Sequence, residues 1–211
     1  MRTYRAVNLN VLWFLIALNV LIFIIEIVIG GYPITVTNEL VRSLGLTPVL
    51  LSQQPWTIIS SMFVHAGFLH ILFNMIALYF LGSFMLRAAG ERSFLAVFFL
   101  GGLAGNILYF VLGYLVLHDL LPPSFGHPFN IGIGASGGIF ALAGALAVMV
   151  PRVPVILFPI PVPMPLWIAV IILVLISFRF SGIAWEAHLG GLFLGLVAGL
   201  IFKRRRRIYS F

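Results

Sequence analysis

Between Val11 and Ile29 the chain carries one charge, Glu26, and one amide, Asn19, in an otherwise apolar run. Such a run is long enough to cross a bilayer, which takes about 20 residues as a helix. Runs of the same kind recur near residues 67–86, 94–116, 134–150, 164–180 and 185–202. Lipid offers no hydrogen-bond partners to backbone N–H and C=O groups, so each run must pair its own by forming a helix. The pattern therefore predicts an all-α membrane protein with six transmembrane helices. Only 8% of the 211 residues are charged, against roughly 25% in a soluble domain, which excludes a water-soluble fold. The first run is too long for the apolar part of a secretory signal, and no small-residue cleavage site closes it, so it is expected to remain as a span.

Three parts follow from these runs: a short N-terminus (1–10), a six-helix core (11–202) and a basic tail (203–211). Within the core lie a long first connection (30–66) and a Pro-rich link (151–165), PRVPVILFPIPVPMP. Six prolines in that link forbid a continuous helix, and the link is expected to lie along a membrane surface. With both termini cytoplasmic, ten of the twelve Lys and Arg residues fall on cytoplasmic segments, leaving Arg42 and Arg179 outside. The positive-inside rule then fixes the orientation. The net charge of +7 is thereby explained by topology and calls for no nucleic acid. The chain has no cysteine, so thiol chemistry and disulfides are excluded.

In this orientation the second, fourth and sixth runs all enter from the outer side. Their N-terminal portions hold HAGFLHILFN (His65, His70, Asn74), GASGG (Ser136) and AHLGG (His188). Polar groups at membrane depth are costly and face the bundle interior or a water-filled cavity. A serine hydroxyl becomes a nucleophile only when a base takes its proton. Gly191, Gly195 and Gly199 recur every four residues, giving one helix face that admits a close neighbour, and His188 lies on it, three residues before Gly191. Gly137, Ala141 and Gly144 or Ala145 form a matching face beside Ser136. Packing the two faces predicts a Ser136–His188 hydrogen bond. His70 and Asn74, at i and i+4, can both donate, and with the Ser136 N–H they could form an oxyanion hole. Glu186 lies about 200° around the helix from His188, so a Ser–His dyad is expected rather than a triad. Glu26, near the outer end of the first run, is expected to snorkel or bond another helix.

The three segments HAGFLHILFN, GASGGIF and AHLGGLFLG, in this order and on these runs, resemble the signature of the rhomboid intramembrane serine proteases. The resemblance covers essentially the whole chain. It implies a rhomboid-type bundle in which Ser136 is the nucleophile, His188 the general base, and His70, Asn74 and the Ser136 N–H the oxyanion site. His65 matches the family's first histidine and is assigned structural support. Phe140 matches an aromatic position that packs on the catalytic histidine, where many members have tyrosine. The Trp-Arg pair common in the family's first connection is absent, and ELVRSLGLTP stands in that region. The implied reaction is hydrolysis of a peptide bond in or beside the transmembrane segment of a single-span membrane protein, with no metal or other cofactor. Substrate would enter from the bilayer past the fifth span. The site would lie toward the outer side of what is expected to be a prokaryotic plasma membrane.

Plainer readings exist for each residue. A lone serine in a Gly-rich membrane helix is usually packing, and His70 with Asn74 could be interhelical glue worth about 0.6 kcal/mol. A membrane zinc protease needs a motif such as H-E-x-x-H, and neither His65 nor His70 is followed by glutamate. An intramembrane aspartyl protease needs two carboxylates, but the only aspartate is Asp119, in a connection. Two alternatives from other classes stay open. A transporter would use the intramembrane His and Asn as a solute path, although no clear repeat of the kind common in transporters is visible. A non-proteolytic rhomboid-like protein that binds membrane helices would be expected to lack the serine or the histidine.

Overall fold

The structure, a computed structural model, describes residues 8–34, 38–157, 160–179 and 182–208, with the backbone alone for 205–208. The anchoring roles expected of Arg2, Arg5, Arg205, Arg206 and Arg207 fall outside the described residues and side chains. Among the described residues, eight α-helices follow in chain order: α1 (Asn10–Gly30), α2 (Glu39–Leu44), α3 (Thr57–Ser60), α4 (Phe68–Ala89), α5 (Glu91–Leu117), α6 (Ser136–Met149), α7 (Leu166–Arg179) and α8 (Trp185–Ile208). Among the described residues α1, α4, α5 and α8 are long and apolar enough to cross a membrane, while α6 and α7, apolar too, have 14 residues each.

Burial sorts the apolar residues by face. Leu12 and Leu15 of α1, Leu78 and Met85 of α4, Phe94 and Phe98 of α5, and Leu142 and Leu146 of α6 are buried in one core. Phe14, Leu21 and Val28 of α1, Phe80 of α4, Leu100 of α5, Leu175 of α7 and Phe193 of α8 point outward and are exposed. A surface this rich in exposed large hydrophobics marks contact with lipid or protein rather than water.

The structure adds to or corrects the sequence reading in four places. The third run begins at Glu91, so α4 and α5 are joined by Gly90 alone, whose φ of +82° is a conformation that glycine adopts without strain. The described residues of the Pro-rich link are not helical, as expected, and pair as two antiparallel strands, β1 (Pro154–Leu157) with β2 (Ile160–Pro165); an isolated two-stranded ribbon tolerates prolines because each strand has a free edge. The basic segment at 203 continues α8 as helix to Ile208. Glu26 does not snorkel: it is fully buried, and its Oε2 accepts the His65 N–H at 3.4 Å. That bond ties the end of α1 to the first connection, where Asn38 donates to the Glu26 carbonyl at 3.3 Å.

Within the long first connection, α2 occupies the ELVRSL stretch, capped by Asn38, whose side chain accepts from the Leu40 and Val41 N–H groups. Asn106 of α5 donates to the Ile58 carbonyl at 2.8 Å and to Ser61 Oγ at 2.9 Å. Leu46 and Gly132 exchange both backbone hydrogen bonds, at 2.9 and 2.8 Å. The first connection is thereby fastened to α5 and to the segment that leads into α6.

Candidate active site

The approach to Ser136 is set by Gly134. Its φ of +115° is a conformation that side-chain-bearing residues rarely adopt, and its N–H donates to the Ser61 carbonyl at 2.8 Å. A Cβ at Gly134 would meet Cε1 and Nε2 of His70, each at 2.9 Å, with Ser136 Oγ at 3.8 Å. The turn therefore lets the His70 ring come up beside the serine. Ser136 opens α6, and the first N–H groups of a helix have no partner within it.

Small residues bring the neighbouring helices to backbone contact. A Cβ on Gly191 would fall into the Gly137 carbonyl, one on Gly195 into the Ala141 carbonyl, and one on Gly199 would meet the Ala145 carbonyl at 2.6 Å. On the other side, Gly101 of α5 leaves room for the Ala141 side chain, and Gly105 for the Ala187 carbonyl. At this separation His188 Nε2 lies 2.7 Å from Ser136 Oγ. The imidazole is 9% exposed and stacks on Phe140, with ring centroids 4.2 Å apart and planes at 13°.

The other nitrogen of His188 has a partner that the sequence reading did not identify. Ser177 Oγ of α7 lies 2.8 Å from His188 Nδ1 and is buried. Its signal in the sequence is that it stands alone as a hydroxyl in LWIAVIILVLISFR, and a polar group at that depth needs an explanation. Glu186 is fully buried, and neither carboxylate oxygen has a hydrogen-bond partner; it makes no bond to His188.

His70 and Asn74 sit on one face of α4. His70 Nδ1 accepts the Ala66 N–H at 3.1 Å, so the ring proton is on Nε2, the atom beside Gly134. Asn74 donates one amide hydrogen to the His70 carbonyl at 2.8 Å and retains a second N–H. His65 is fully buried, with its ring 5.1 Å from that of His70 and its Nδ1 3.1 Å from the Phe63 carbonyl. Burial, reinforced by the neighbouring His70, lowers the His65 pKa to about 3, so this imidazole is neutral. A cavity of about 490 Å³, lined by Arg42, Tyr109, His127, Asn130 and Ala184 among others, opens one helical turn before His188.

The sequence profile of the Rhomboid domain matches residues 52–205, a span that contains every residue of this site. Rhomboid protein 1, mitochondrial, of Saccharomyces cerevisiae is 28% identical over 72% of this chain and 44% of its own length. Rhomboid protease GluP of Bacillus subtilis is 31% identical over 62% of this chain and 23% of its own length. RHOMBOID-like protein 4 of Arabidopsis thaliana is 29% identical over 54% of this chain and 25% of its own length. The chain thus spans less than half the length of these curated relatives. With the profile extending over most of the chain and with helices long and apolar enough to cross a bilayer, this integral membrane protein belongs to the rhomboid family.

Proposed function

We propose that this chain is an intramembrane serine endopeptidase that cleaves single-span membrane proteins in or beside their transmembrane segments. The observation that carries the reading is the 2.7 Å contact between Ser136 Oγ and His188 Nε2, at the start of α6 and beside the His70 Nε2 donor. In the reaction, Ser136 Oγ attacks the scissile carbonyl carbon as its proton passes to His188 Nε2. The tetrahedral oxyanion is met by the Ser136 N–H, His70 Nε2–H and the second N–H of Asn74. His188 then returns the proton to the departing amine, leaving an acyl ester on Ser136. Water, activated by the same imidazole, hydrolyses the ester. No metal or other cofactor enters this scheme. His65, Phe140, Gly137, Gly191 and Gly195 hold the reacting groups in place.

In this reading all six apolar helices, α1 and α4 to α8, cross the bilayer as the core 11–202, with 1–10 and 203–211 cytoplasmic. Helix α6, at 14 residues, rises about 21 Å, less than the hydrocarbon thickness of about 30 Å. With its far end at the inner interface, Ser136 lies some way below the outer one. Water would approach that depth from the outer side, where the cavity beside Ala184 opens. Substrate enters between the helices from the lipid, past α7.

The reading is tested by incubating the purified protein in lipid vesicles with a single-span substrate and locating the cut by mass spectrometry. A cut in or beside the span is expected. Substrate bound but left intact would favour the helix-binding alternative, and solute flux without cleavage would favour transport. In the same assay His70→Ala and Asn74→Ala should each lower kcat about 10²- to 10³-fold, the usual effect of losing one oxyanion donor. Unchanged kcat in both would remove these residues from the oxyanion site.

A further inference from the structure

We propose that Ser177 is a positioning residue that fixes the tautomer of His188, and so decides which of its nitrogens can act as a base. The inference rests on the dyad reading above and adds a third group to it. Ser177 Oγ lies 2.9 Å from the Leu173 carbonyl, one turn back on α7, and 2.8 Å from His188 Nδ1. A hydroxyl has a single proton to donate, and a backbone carbonyl can only accept. The Ser177 proton therefore goes to Leu173, and the proton in the second bond must come from Nδ1. His188 then carries its hydrogen on Nδ1 and a lone pair on Nε2, the nitrogen 2.7 Å from Ser136 Oγ.

The three bonds run in one direction: Ser136 O–H to Nε2, Nδ1–H to Ser177 Oγ, and Ser177 O–H to the Leu173 carbonyl. In such a chain each bond polarises the next. The opposite tautomer would put a hydrogen on Nε2, where it could not receive the serine proton. The partner on the far nitrogen of a histidine sets this choice in metal and catalytic sites alike. Glu186 is the carboxylate nearest in sequence, but neither of its carboxylate oxygens has a hydrogen-bond partner, so the task falls to a neutral hydroxyl on another helix. When His188 becomes an imidazolium, Ser177 Oγ keeps accepting from Nδ1 and so supports the charged form without adding a buried charge of its own.

The test uses the full chain in lipid vesicles, labelled with ¹⁵N-histidine, as wild type, Ser177→Ala and Ser177→Thr. The His188 signal is assigned by its loss in His188→Asn. The wild type should show a protonated Nδ1 and an unprotonated Nε2. Ser177→Ala should move the population toward the Nε2–H form and lower kcat about tenfold, the effect of losing one buried hydrogen bond, with KM unchanged. Ser177→Thr, which keeps the hydroxyl, should keep the wild-type tautomer and most of the activity. A wild-type spectrum with Nε2 protonated would overturn the inference, as would a drop in kcat with no change of tautomer, or a threonine variant that behaves like alanine. The spectra need no turnover, so they decide the role of Ser177 even if the vesicle assay were to reject the protease reading.

Discussion

Ser136→Ala and His188→Ala should each lower kcat by on the order of 10⁴-fold or more, and the double variant should lose no more than either alone. In the proposed mechanism the two side chains, joined by a 2.7 Å hydrogen bond, act as one proton-transfer unit. Without the hydroxyl there is nothing for the imidazole to deprotonate, and without the imidazole the hydroxyl stays protonated and weakly nucleophilic. Groups that work as a unit give non-additive losses, with a residue of catalysis left to substrate binding and the oxyanion donors. Kinetics on the two single variants and the double variant, in the same vesicles, check this. Losses that multiply would mean that serine and histidine act separately, and the dyad would have to be abandoned.

Gly195→Val should destabilise the bundle by an amount at or above the upper end of the ~1–3 kcal/mol typical of overpacking, and take the activity with it. The new Cβ would fall into the Ala141 carbonyl. That atom belongs to the α6 backbone and cannot rotate aside as the end of a flexible side chain could. Helix α8 would have to withdraw from α6, and His188 and Ser136 would part, since both ride on this contact. Phe193→Val, two residues earlier on the same helix, is the control: Phe193 is 71% exposed and should tolerate the change. Thermal unfolding in detergent should give a clearly lower Tm for Gly195→Val than for Phe193→Val. Equal Tm values would show that the α6–α8 contact is not the close approach described here.

Much of the frame is written in local pattern. A bilayer forces each apolar run to be a helix, so the helix ends fall within a few residues of the runs, from Asn10–Gly30 to the start of α8 at Trp185. The four-residue spacing of Gly191, Gly195 and Gly199 defines a helix face, and the structure pairs those glycines with Gly137, Ala141 and Ala145. What local pattern cannot carry is contact between distant segments with no periodic cue. Glu26 is buried and accepts the His65 N–H, 39 residues away, and nothing near Glu26 signals that contact. Ser177 bonds back to its own helix through Leu173, a local habit of helical serines, but its second bond, to His188, depends on how α7 rotates against α8. The pairing of β1 with β2 was hidden for another reason, since prolines rule out helix without selecting what replaces it.

The most direct measurement of the central claim is covalent labelling with a fluorophosphonate, which reacts with a serine hydroxyl only when a base has activated it. The protein in lipid vesicles would be treated, digested and mapped by mass spectrometry, alongside His188→Ala. A single adduct on Ser136, lost in His188→Ala, is the predicted result. An adduct on another serine, or one on Ser136 that persists undiminished without His188, would contradict it.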